Sequence, residues 1–114
     1  MSDSGLILVA ELHGLAGRDP ELRDLLADLA AGARAEPGCV SFRVLSAEEP
    51  GERLLLAEWR DEASLRAHYR TVAYRHYRDN VGPLLARPSD VVVHRVSATV
   101  HARDPNPPDP GLFG

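Results

Sequence analysis

His68 stands nine residues after Trp59, the one tryptophan of the chain, and the three tyrosines follow at Tyr69, Tyr74 and Tyr77. An imidazole titrates near neutral pH, so His68 can accept a phenolic proton and give it back. The flat indole of Trp59 can stack on an aromatic ring while its N–H bonds a carbonyl. These two are the expected catalytic residues. A hydroxyl from Tyr74 or Tyr77 can steady an oxyanion, and Phe42 offers a further ring for the wall of a pocket. Leu65 and Val72 share the helical face of His68 and are expected to touch a substrate, and Arg75 can meet an anionic group at the mouth. Each has a plainer explanation. A buried histidine is commonly a structural residue bonded to a backbone carbonyl, a tryptophan can simply close a strand–helix corner, and aromatics at helical spacing are most often core.

The elements that must hold these residues follow from punctuation and periodicity. Leu6 to His13 reads as a strand that ends at Gly14. Asp19-Pro20 opens a helix, with the aspartate expected to cap free N–H groups. Leu22, Leu25, Leu26, Leu29 and Ala33 recur on one face of that helix, which Glu36-Pro37-Gly38 stops. Cys39–Leu45 and Arg53–Arg60 form two strands around a polar hairpin loop. Asp61 caps the helix that carries Leu65, His68, Tyr69 and Val72, and Tyr69 lies near the boundary of its buried face. Thr71 can cap a second helical piece with Tyr74, Tyr77 and Val81, ended by Gly82-Pro83. A fourth strand is expected from Ser89 to Val100. The order strand–helix–strand–strand–helix–strand predicts an α+β, ferredoxin-like antiparallel sheet with helices on one face. Residues 1–101 form that one domain. Residues 102–114, with four of the nine prolines, read as an extended or disordered tail.

Strand patterning predicts a partner. Ile7 to Ala10, Leu54 to Ala57 and Val91 to Val93 are apolar without alternation, so both faces of the sheet are greasy while helices cover one. Leaving those side chains in water forgoes roughly 1.5–3 kcal/mol each, and a two-fold pairing of sheets recovers it. A homodimer is the expectation.

Composition narrows the function. A net charge of −4 gives no basic field for nucleic acid. Cys39 alone can build neither a disulfide nor a cysteine zinc site, and it is assigned no reactivity. The five histidines include no i, i+4 helical pair and no His-x-His on a strand, although His13 and His94 can approach if the first and fourth strands pair. No metal or other cofactor is expected. No apolar run approaches the ~20 residues of a membrane helix, and the first five residues do not read as a signal peptide. Cytoplasm is the default compartment.

Glu36-Pro37-Gly38-Cys39-Val40-Ser41-Phe42, then Glu58-Trp59-Arg60-Asp61-Glu62-Ala63-Ser64-Leu65-Arg66-Ala67-His68, and after them Thr71 and Tyr74, resemble the antibiotic biosynthesis monooxygenase family. The resemblance runs from about Leu6 to Val96. It implies a dimeric α+β barrel with a pocket between helices and sheet, and oxidation of small phenolic, quinol or polyketide-type aromatics by O₂ with neither metal nor flavin. Two other functions fit the same scaffold: a non-oxidative isomerase or cyclase, and a non-catalytic dimer holding a small ligand in a stress response. Three departures are visible. Ala57 stands where many relatives carry Glu, and alternation turns Glu58 away from the face of Trp59. Thr71-Val72-Ala73 replaces a Thr-Pro-His segment. Leu12 on the first strand and His68 on the second helix do not match the Asn and Trp of haem-degrading relatives, so haem breakdown is not expected.

Overall fold

A computed structural model describes residues 5–100. The elements in chain order are β1 (Leu6–Gly14), α1 (Asp19–Arg34), β2 (Cys39–Ser46), β3 (Glu52–Trp59), α2 (Glu62–His68), α3 (Val72–Val81), a 3₁₀ turn (Gly82–Leu84) and β4 (Leu85–Arg95). The four strands form one antiparallel sheet in the order β2-β3-β1-β4. This is the split βαβ arrangement expected from the sequence. The expected tail at 102–114 lies outside the described residues.

Helix α1 lays its predicted stripe on the sheet. Leu22, Leu25, Leu26, Leu29 and Ala33 are all buried, against Leu8, Ala10 and Leu12 of β1 and Phe42, Leu55 and Ala57 of β2 and β3. Its start differs from expectation. Arg18 occupies the cap position without a side-chain capping bond, and Asp19 is the first helical residue. The Asp19 carboxylate instead accepts from Arg53 Nη2 at 2.6 Å, so tertiary pairing displaced local capping. At the other end, Arg34 donates through Nε and Nη2 to the Phe42 carbonyl, at 2.9 and 2.6 Å, fastening the helix to the free edge of β2.

The second helical region is broken, and the break is written in the sequence. The Asp61 carboxylate accepts from Ser64 N and Oγ, at 2.8 and 2.6 Å, to start α2. Thr71 then ends it and starts α3: its hydroxyl donates to the His68 carbonyl at 2.8 Å and accepts from Tyr74 N at 3.1 Å. Such a cap contributes about 1 kcal/mol.

β4 begins four residues before the expected Ser89 and ends at Arg95 rather than Val100. Residues 85–88 pair with the far end of β1 through a bulge beyond Glu11, an irregularity that alternation in sequence does not announce. The helices cover one sheet face only. On the other, Leu56, Val9 and Val92 lie side by side across β3, β1 and β4, with Ile7 and Leu54 beside them. Val92 is half exposed. Even on the helical side Val91 and Val93 of the edge strand β4 remain exposed.

Two glycines set the turns that matter. Gly51 closes the β2–β3 hairpin at φ +82°, a left-handed conformation open to glycine without a side-chain penalty. Gly38 is needed for proximity: a Cβ there would overlap Ser64 Oγ and Cβ on α2. Its carbonyl accepts from Arg60 N at 2.8 Å, which pins the Glu36–Gly38 turn to the start of α2. Gly38→Ala is expected to cost about 1–3 kcal/mol through this overlap, read as a fall of several degrees in thermal midpoint. An unchanged midpoint would mean that the turn and helix are not in this contact.

Candidate active site

The corner between β3 and α2 builds the site. Trp59 ends β3 on the helical face of the sheet and is 1% exposed. Two residues on, Asp61 starts α2, and its seven residues deliver His68 back over the indole. The two rings lie 4.6 Å apart at 37°. Tyr74, from the first turn of α3, meets His68 edge-on at 5.3 Å, Phe42 of β2 lies at 6.1 Å, and Tyr69 at 5.8 Å. Tyr77 follows Tyr74 along α3 at 6.1 Å.

These rings wall a cavity of about 90 Å³. Leu8, Ala10, Leu29 and Leu55 close its floor with aliphatic surface. Ser89 and Val91 of β4 stand at its edge, where Val91 is about half exposed, and so does Tyr69 at 38%. The opening is therefore on the β4 side.

Polar groups in this apolar space are few. His68 Nδ1 lies 2.7 Å from Glu36 Oε2, with the histidine side chain 4% exposed and the glutamate 16%. An ionised carboxylate can only accept, so Nδ1 carries the hydrogen and donates it. Nε2 has no partner among the described residues. Trp59 Nε1–H is also buried, and it too finds no acceptor among the described residues. Burial, reinforced by the adjacent Tyr74, pushes the Tyr77 hydroxyl up to about 12. Burial and Tyr74 raise Tyr69 in the same way. Both phenols are therefore hydrogen-bond donors at any ordinary pH. Asp61 is held below the usual carboxylate range by the Ser64 hydroxyl and N–H, which keeps the α2 cap charged. Cys39 is pushed up by burial and by Glu36, away from thiolate chemistry.

Of the expected site residues, His68, Trp59, Phe42, Tyr74 and Tyr77 converge on the cavity. Three do not. Leu65 is buried in the core but does not line the cavity. Val72 is 73% exposed, because the break at Thr71 restarts the helical phase and makes it the first residue of α3 rather than a continuation of α2. Arg75 follows inward-facing Tyr74 by one residue, about 100° round the helix, and lies exposed outside the cavity. Glu36, Tyr69, Ser89 and Val91 are the additions. Glu36 stood in the quoted turn, and an acid held beside a helix start was the available signal. Glu58 is exposed on the opposite sheet face, as alternation required.

His13 and His94 do not meet. His94 pairs with Ile7, whereas His13 Nδ1 donates to Glu52 Oε1 at 3.0 Å and its Nε2 lies 3.2 Å from Arg87 Nη2. Glu11, His13 and Asp90 bring one potential ligand atom each within 4.8 Å of the others, on the face away from the cavity. The Arg87 guanidinium already supplies positive charge beside that group.

Comparison with known proteins gives this arrangement a context. The family model described as antibiotic biosynthesis monooxygenase matches residues 5–80. The putative monooxygenase Rv0793 of Mycobacterium tuberculosis is 38% identical over 72 residues, covering 63% of this chain and 71% of that protein. Its solved structure superposes with a TM-score of 0.79 at 30% identity, over 88% of this chain and all of that one. An uncharacterized Synechocystis protein, sll1783, is 29% identical over 68 residues, and the match spans only 46% of its length. A Nitrosomonas europaea structure described as a putative antibiotic biosynthesis monooxygenase shares the fold at a TM-score of 0.78 and 19% identity. With two thirds of its length matched by one family model, the chain belongs to the antibiotic biosynthesis monooxygenase family.

Proposed function

We propose that the chain is a homodimeric monooxygenase that uses O₂, without a resident metal or flavin, on a small phenolic or quinol. The observation that carries it is buried His68 and Trp59, with three less buried tyrosines, around a mainly apolar cavity. His68 Nε2 takes a phenolic proton, and the electron-rich anion left behind is the reductant for O₂. Carbon–oxygen bond formation gives a hydroperoxide, the imidazolium returns its proton, and water leaves. For a hydroquinone the product is a hydroxyquinone: one oxygen atom enters the ring, the other becomes water, and the substrate supplies all four electrons. Trp59 N–H and the protonated Tyr77 or Tyr69 are donors for the oxyanion, worth most in a site that excludes water.

Size favours one ring. A cavity of about 90 Å³ is below the ~150 Å³ that admits benzene. A single-ring quinol asks for the smaller enlargement, and a three-ring polyketide asks for a much larger one. The non-oxidative alternative, an isomerase or cyclase, draws on the same base and donors. Turnover without oxygen separates it from the first. The departures at Ala57 and Val72 keep a third function, ligand holding, within the same assay, where no turnover would appear at all.

The dimer rests on the uncovered face carrying Leu56, Val9 and Val92. A second copy placed sheet to sheet removes that surface from water. Sedimentation is expected to give a dimer at micromolar concentration and a monomer for Leu56→Arg; a monomeric parent protein would remove the dimer. For the chemistry, O₂ consumption with substituted hydroquinones is expected to fall about 10²–10⁴-fold in His68→Ala. An unchanged rate would take the base from His68.

A further inference from the structure

We infer that Glu36 is the positioning residue of the site: it fixes His68 in the tautomer whose Nε2 lone pair is the base, and it holds the imidazolium that forms. The inference rests on His68 acting as base, but its main readout does not depend on turnover.

Three observations bear on it. The contact between Glu36 Oε2 and His68 Nδ1 is 2.7 Å long and spans 32 residues of sequence. His68 is buried among Trp59, Phe42 and Tyr74, whose rings offer its Nδ1 no acceptor within the cavity. A charged partner at Nδ1 therefore decides which nitrogen keeps a lone pair. Third, the chain is built to keep the carboxylate there. The Glu36 N–H bonds the Ala33 carbonyl at 3.0 Å, Pro37 stiffens the turn, and side-chain-free Gly38 lets it press against Ser64 of α2, the helix that carries His68.

The placement also solves a charge problem. Glu36 lines a surface groove with Pro37, Gly38, Arg60 and Ser64, on the far side of His68 from the cavity. The glutamate side chain keeps partial exposure, at 16%, while its partner is 4% exposed. A proton taken at Nε2 then creates an ion pair in place of a lone buried cation. In the cycle above that proton moves from substrate to Nε2 and back to the departing oxygen. The Nδ1 proton stays on Nδ1 throughout, so Glu36 ends as it began.

The test is nitrogen-15 correlation spectroscopy of histidine-labelled full-length protein at mildly alkaline pH, with the His68 signals identified by their loss in His68→Ala. The parent is expected to show protonated Nδ1 and bare Nε2. Glu36→Leu is expected to shift the population to the Nε2–H form that unconstrained imidazole favours. Glu36→Gln preserves volume and removes charge. It is expected to lose kcat by about 10–100-fold, with a much smaller change in KM, while its thermal midpoint stays near the parent value. An Nε2–H tautomer in the parent, or the same tautomer in parent and Glu36→Leu, would overturn the inference. A parent with the expected tautomer that consumes no oxygen with any quinol would refute the monooxygenase proposal and leave the positioning role standing.

Discussion

The indole N–H of Trp59 is a strong donor placed where the described chain offers it nothing to bond. Leaving such a group unpaired in a protein interior costs about 1–3 kcal/mol. The fold carries that cost at the corner where β3 becomes α2, and the surrounding structure is arranged to keep it there. The indole is 1% exposed and lies under the His68 ring, which the Asp61 cap and the Thr71 hydroxyl hold by fixing both ends of α2. An unsatisfied donor, an available Nε2 and protonated tyrosines border an apolar hollow, and these are the groups on which the proposed phenolic chemistry draws. Polar satisfaction fails here beside a cavity, whereas the other unpartnered buried donor among the described residues, Arg53 Nε, lies at the far end of β3.

The same sheet that floors the cavity has a second apolar side, and the two facts have one cause. Strands β1 and β3 are central and aliphatic at every position from Ile7 to Ala10 and from Leu54 to Ala57. Their inward residues form the floor, and their outward residues are what a second copy is proposed to cover. β4 joins the two roles, since Val91 stands at the cavity edge while Val92 points to the other face. Anything that packs on β4 therefore also bears on how the cavity opens.

Much of this was legible in the sequence, and the remainder was hidden for physical reasons. The α1 stripe, the Asp61 and Thr71 caps and the Trp59-to-His68 spacing are local, and local patterns survive into the fold. Val72 and Arg75 were misplaced because one hydroxyl restarts a helix, shifting the phase of every later residue. Asp19 has the residue type of a cap, but its partner, Arg53, is 34 residues away and invisible to local pattern. The Glu36–His68 contact is of the same kind: it depends on the turn after α1 meeting the start of α2, which no spacing within either element reveals. β4 was shifted because its pairing with β1 crosses a bulge.

With a single tryptophan, the chain gives one indole N–H resonance, and that resonance reports directly on the corner. Titrating ¹⁵N-labelled protein with a hydroquinone under anaerobic conditions should move it downfield in a saturable manner, as a ligand oxygen accepts from Nε1–H. An indole signal that stays in place while ligand binding shifts signals elsewhere in the chain would mean that the cavity beside Trp59 and His68 is core and not a site.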